Sequence, residues 1–141
     1  MDSIRIDESR FPLIVVTFVG SQSEAEFSAY LEWMTAFAER RLRAVTVFDA
    51  TRAGPTPATQ RARQGEWIKK YRSIIQEYSC GSAFVIRSPL VRGALTAILW
   101  IAPIPGAHTV VRTLEEAERW AFERLRAEGV AWPPAAARAP A

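Results

Sequence analysis

Cysteine and histidine occur once each in the 141 residues, as Cys80 and His108. A lone thiol makes no internal disulfide, which removes the small secreted scaffolds held by bridges. One cysteine and one histidine also exclude zinc sites built from four cysteines, or from two of each. A Ser-His-Asp or Cys-His machine would have to use His108. That residue opens a predicted strand beside Thr109, with no Asp or Glu near it in sequence, and is expected to be structural or exposed. Cys80 has no CxxC partner and reads as a small buried residue. There is no GxxxxGK[ST] or GxGxxG phosphate loop. No basic helix carries interleaved aromatics, so nucleic acid is not an expected partner. Long apolar runs are missing too. The longest, Leu90 to Ile104, contains Arg92, Gly93 and Pro103 and falls short of the roughly 20 residues that span a bilayer. The chain opens MDSIRIDESR, with acids where a signal peptide has a basic start and an apolar stretch. A cytoplasmic protein, without membrane, metal or cofactor, is the expectation.

What is present suits one compact domain: 49% apolar and 23% charged residues. The net charge of +3 averages over an uneven distribution. Residues 1–39 sum to −5, residues 40–92 to +8, and residues 93–141 to zero. A basic middle attracts anions or acidic proteins, or it pairs with the acidic first segment of the same chain.

Strands and helices alternate along the chain. Ile4 and Ile6 mark an edge strand, and PLIVVTFV (residues 12–19) a strand buried on both faces. Ser21 and Ser23, each three residues before a Glu, both fit a capping box. The helix they open carries Phe27, Tyr30, Leu31, Met34 and Phe37 on one face. AVTVF (residues 44–48) is a third strand, closed by Asp49. A loop then leads to a long helix, capped by Thr56 with Pro57 in its first turn. Trp67, Ile68, Tyr71, Ile74, Ile75 and Tyr78 recur along it, and Gly81 ends the unit. SAFVIR (residues 82–87) is a fourth strand. Ser88-Pro89 opens a helix that is apolar around much of its circumference. HTVVR (residues 108–112) is a fifth strand. Thr113 and Glu116 cap a last helix, and from residue 130 the chain reads as a Pro/Ala-rich flexible tail. The expected order is ββαβαβαβα: a single α/β domain over residues 1–129, with a mixed, mostly parallel five-stranded sheet and four helices.

This order, at this length, resembles the STAS-like fold, which includes the anti-sigma-factor antagonists. The resemblance covers about residues 3–128. It rests on the apolar strand ending in Asp49, the loop and long helix after it, and the final capped TLEEAERW helix. In anti-sigma-factor antagonists a kinase phosphorylates a Ser or Thr at the start of the helix after that strand, which switches partner binding. The usual Asp-Ser-Ser-Gly run is absent here. The resemblance makes Thr56 the nearest positional counterpart and Thr59 the next. It implies a non-catalytic regulatory module whose partner is another protein, a regulator or kinase.

Ligands in open α/β sheets bind beside the carboxyl ends of the strands. Asp49, Arg52, Gln60, Arg61, Gln64, Arg87, Ser88 and Arg92 are the candidates there for an anion or other small ligand, helped by two helix starts. Gln60 and Gln64 lie on the inward stripe of the long helix, where they either hold a ligand or meet a loop backbone, the preferred reading. Asp49 reads as a loop-fixing carboxylate rather than a general base. Leu95, Leu99 and Trp100 on the apolar helix form a candidate partner or homodimer surface, unless the tail with Trp132 covers it. The leading expectation is thus a regulatory protein-interaction module. The alternative is a domain that binds a small anion, nucleotide or lipid at the carboxyl edge of the sheet.

Overall fold

The computed structural model describes residues 3–132. Its strands are β1 (Ile4–Asp7), β2 (Leu13–Gly20), β3 (Ala44–Ala53), β4 (Ser79–Val85) and β5 (His108–Val111). Its helices are α1 (Glu24–Glu39), α2 (Ala58–Lys70), α3 (Arg72–Tyr78), α4 (Pro89–Ile101) and α5 (Leu114–Ala127). The strands form one five-stranded sheet in the order β1-β2-β3-β4-β5. β1 runs antiparallel to β2, and every other pairing is parallel.

The expected class and sheet hold, but the described residues form five helices rather than four. The long helix breaks at Tyr71, whose φ of −102° and ψ of 15° leave the helical region. The break coincides with a change of support. α2 packs on α4 and α1, whereas α3 packs on α1 and the start of β4. The Trp67 and Tyr71 rings stack at 4.9 Å across it, and Trp67 Nε1 donates to Thr35 Oγ1 of α1.

Two strand boundaries also move. β3 continues past Asp49 because Val19 and Gly20 of β2 go on pairing with Arg52 and Ala53. β4 starts at Ser79 rather than Ser82, so Gly81 lies within a strand instead of ending a turn. A Cβ at Gly81 would stand 2.7 Å from the Trp120 ring of α5. The glycine makes room for that ring.

Small residues let α5 close on one face of the sheet. Ala117, Ala121 and Leu125 meet Leu13, Val15, Val45, Val47, Ala83 and Val85, and all are buried. On the other face α1 covers β1 and β2, with Phe27 and Tyr30 against Ile14 and Val16. Ser23 caps α1 through a reciprocal capping box with Glu26. Ser21, the other candidate cap, instead donates to the Pro55 carbonyl.

α4 departs furthest from expectation. Despite its apolar sequence it has no buried residue. Trp132 does not cover it: that ring meets Phe122 of α5 edge-on at 6.1 Å, on the opposite face of the sheet. Val130 and Trp132, expected to begin the flexible tail, pack against the α5 core. The rest of the expected tail, residues 133–141, lies outside the described residues. Two arginines of the basic middle pair with the acidic first segment, Arg40 with Glu8 at 3.5 Å and Arg63 with Glu24 at 3.3 Å.

Candidate ligand cavity

Alternation along β3 and β4 sends neighbouring side chains to opposite faces. On the α5 face Val45, Val47, Ala83 and Val85 are wholly buried. On the other face Thr46, Phe48, Ser82 and Phe84 remain partly accessible. The difference lies in what covers them. α5 sits directly on its face, whereas α2 and α4 pack on each other and stand off the sheet. The space left is a cavity of about 240 Å³. Phe48 and Phe84 form its floor, α1 and α3 flank it, and α2 and α4 roof it.

The α2–α4 contact depends on a glycine. A Cβ at Gly65 would stand 2.6 Å from both Cβ and Cγ2 of Ile101. The last turn of α4 rests in that gap.

None of the lining residues is Asp, Glu, Lys, Arg or His. Burial pushes the pKa of the Tyr30 phenol upward, so that wall stays neutral as well. Gln60, on the first turn of α2, is the one buried polar or charged side chain among the described residues, at 1% exposure. Its Nε2 donates to the Gln22 carbonyl and to Glu24 Oε1, each at 3.0 Å. Both partners are acceptors, so the nitrogen is oriented and Oε1 is the other end of the amide. Oε1 is buried with no hydrogen-bond partner among the described residues. The preferred reading of Gln60, contact with a loop backbone, describes its nitrogen and leaves its oxygen unmatched. A buried unmatched acceptor costs about 1–3 kcal/mol.

The predicted site residues divide into two groups. Thr56, Gln60, Gln64 and Leu95 line the cavity. It reaches the carboxyl edge of the sheet at Gln22, Ala53 and Thr56. The arginines do not converge there. Arg61 donates to the Thr56 carbonyl, and Arg87 Nε donates to the Arg112 carbonyl at 2.9 Å. Arg52 and Arg92 are exposed. Asp49 accepts from Thr51 N at 3.1 Å and Thr51 Oγ1 at 2.8 Å, which fixes the end of β3. Ser88 caps α4 through Val91 N. Thr56 is not the cap of α2. Pro57 holds that position with no side-chain hydrogen bond, and Thr56 is half-buried against the cavity. Thr59 is exposed in the first turn of α2. Leu99 is half-buried, and Trp100 is 84% exposed. His108 is exposed, its Nδ1 3.2 Å from the Gly106 carbonyl.

Thr46, Phe48, Ser82 and Phe84 were not singled out from the sequence. The available signal was Thr46 and Ser82, small polar residues within two otherwise apolar strands. They prove to be register partners on the cavity face.

No known family profile matches the chain, and no curated protein matches it. Solved structures do. The unphosphorylated anti-sigma factor antagonist SpoIIAA superposes with a TM-score of 0.60 at 10% identity, covering 87% of this chain and 97% of its own. An anti-sigma factor antagonist from Mycobacterium paratuberculosis gives a TM-score of 0.58 at 16% identity, over 86% and 96%. An uncharacterised protein of the DUF3478 family from Shewanella loihica PV-4, with a SpoIIAA-like fold, gives 0.57 at 14%, over 84% and 91%. The chain therefore has a SpoIIAA-like α/β fold, and at these identities the likeness is one of fold alone. Among the described residues, no helix is long and apolar enough to cross a membrane, and no three His, Cys, Asp or Glu side chains cluster to hold a metal ion.

Proposed function

We propose that this STAS-like domain is a non-catalytic regulatory module that binds a small, uncharged, largely apolar molecule between its sheet and the α2–α4 pair. The observation that carries this reading is a cavity of about 240 Å³ whose lining has no charged side chain. Apolar walls with one or two placed polar groups are what small-molecule sites present. The anion and nucleotide variants lose support, because the arginines that would neutralise a phosphate lie outside the cavity. Thermal unfolding with neutral bicyclic and aliphatic compounds, and separately with phosphate and nucleotides, tests the reading. A ligand at about 100 times its Kd raises stability by about 2.7 kcal/mol. Neutral compounds are expected to raise the Tm and the anions to leave it unchanged. Stabilisation by anions alone would overturn the assignment.

Interaction with a second protein is the other reading, and one observation favours it. Trp100 and Leu90 of α4 present apolar side chains to solvent at 84% and 62% exposure. With the fold of anti-sigma factor antagonists, that face and the segment Ala50–Pro57, the end of β3 and the loop after it, are the natural places for a protein partner. A phosphate near this segment is better accommodated on exposed Thr59, in the first turn of α2, than on half-buried Thr56. The two readings combine readily, because the α4 that roofs the cavity also carries the exposed face.

A further inference from the structure

We propose that the cavity takes an unbranched alkyl chain of about ten carbon atoms with a neutral polar head, the head lying at the carboxyl edge of the sheet. This rests on the ligand-binding reading above and names the ligand class of the same site.

The chain is argued from the shape of the cavity. β3 lines it from its first residue to its last. Ala44, Thr46, Phe48 and Ala50 alternate onto the cavity face. An extra residue in β3, opposite Thr17–Val19, then brings Ala53 back to that face. At about 3.3 Å per residue, Ala44 and Ala53 stand about 30 Å apart. α1 lines the cavity from Phe27 to Ala38, and α2 with α3 lines it from Gln60 to Tyr78. Elements that run from one edge of the sheet to the other therefore border it over most of their length. A volume of about 240 Å³ drawn out in this way is a narrow slot. Phe48 and Phe84, stacked on each other at 5.1 Å, stand midway along it, with lining residues on both sides. A chain bends at each methylene to follow such a slot, whereas a rigid ring system needs its volume in one place. Length follows from volume. A dry cavity of about 150 Å³ accepts the six carbons of benzene, which scales to about ten carbons in 240 Å³.

Polarity places the head. All three side-chain amides that line the cavity, Gln22, Gln60 and Gln64, lie with Thr56 where β2 and β3 end and α2 begins. Thr56 and Gln64 are half-buried, so a head beside them keeps part of its hydration. At the other end Phe37, Leu42, Ile74 and Ile75 line the slot, and Ser79 Oγ is taken up by Gly81 N at 3.2 Å. Between the two ends the sheet contributes single hydroxyls, from Thr46 and Ser82. The head is neutral because no charged side chain lines the slot to pair with an ion.

Calorimetry on the full chain, with each compound below its solubility limit, tests this. Decan-1-ol and 2-naphthol share ten carbons and one hydroxyl and differ in shape. Decan-1-ol is expected to bind at least tenfold more tightly. Among straight-chain alcohols, affinity is expected to rise about fourfold per methylene from hexan-1-ol and to level off near ten carbons, where the slot is full. Decanoate is expected to bind at least tenfold more weakly than decan-1-ol. 1-Monodecanoylglycerol, whose larger neutral head stands for the chain of a whole lipid, is expected to bind within about threefold of decan-1-ol, because the head lies at the edge. Ala50→Leu narrows the slot next to its polar end and is expected to weaken decan-1-ol at least tenfold, with circular dichroism confirming the fold. Tighter binding of 2-naphthol overturns the chain and leaves the cavity reading standing. Affinity that goes on rising beyond dodecan-1-ol, or unchanged binding to folded Ala50→Leu, overturns the slot as the binding site. Loss of binding with the glyceride overturns the placement of the head, and tighter binding of decanoate overturns its neutrality. Binding of none of the neutral compounds overturns this inference and the cavity reading together.

Discussion

Gly65 of α2 lies directly beneath Ile101 of α4, so close that a methyl group on the glycine would stand 2.6 Å from two of the isoleucine's carbons. One of these is Ile101 Cβ, which cannot swing aside without its backbone. Alanine at position 65 improves helix propensity by about 1 kcal/mol, yet overpacking costs about 1–3 kcal/mol. Gly65→Ala is expected to destabilise the protein by about 1 kcal/mol net in urea titration. In an Ile101→Gly background, which removes that Cβ, the same change is expected to stabilise it. A stabilising effect in the natural background would show that α4 moves freely away from α2.

The two faces of the sheet predict unequal responses to truncation. Leu125 of α5 is 1% exposed and fully packed against β3 and β4. Leu95 of α4 faces a space that already exists. Leu125→Ala is expected to cost about 3 kcal/mol, within the range for well-packed leucines. Leu95→Ala is expected to cost about 1 kcal/mol, because few of its atoms lose a neighbour. Equal costs by denaturant unfolding would mean that the cavity closes in solution.

Acid stability depends in part on Glu26. Its carboxylate accepts first from Ser23 N, at 2.9 Å, and then from Ser3, whose N lies at 3.1 Å. These bonds hold its pKa at about 2, against the usual 4.5. The folded state therefore binds this proton less readily than the unfolded one. The contribution is complete above pH 4.5 and is lost as pH falls towards about 2. Glu26→Gln keeps a side chain able to complete the capping box but cannot titrate. Its stability is expected to fall less steeply across that window than that of the natural protein, as followed by unfolding at several pH values.

Trp100 is expected to contribute almost nothing to the stability of the isolated chain. Trp100→Ser should change unfolding free energy by no more than about 0.5 kcal/mol, as at other exposed sites. A loss above about 1 kcal/mol that grows with protein concentration would reveal the indole buried against a second copy.

Much of this architecture is legible in local patterns, and particular elements show where that legibility stops. The capping box at Ser23 and the Ser88-Pro89 start of α4 are decided within a few residues and form as expected, while the strand expected over residues 12–19 forms as Leu13–Gly20 and is fully buried only over Leu13–Val16. The break at Tyr71 has no glycine or proline to announce it. It falls where α2, packed on α4 and α1, gives way to α3, which keeps the contact with α1 but not the one with α4. Gly81 looked like a turn because a glycine's usual role is local, whereas its reason here is a tryptophan 39 positions later.

The candidate site divides in the same way. Gln60 and Gln64 stand out in the sequence because polar residues interrupt an inward stripe, and that signal is local. The arginines stood out through charge alone, and charge says nothing about direction; the fold turns Arg61 and Arg87 towards backbone carbonyls instead. Composition and periodicity thus settle the class of the fold and which side chains face inward. Whether two inward faces meet is another matter. The 240 Å³ left between α4 and the sheet depends on how closely α2 and α4 approach through Gly65, and that distance is set by packing between segments with no short-range relation.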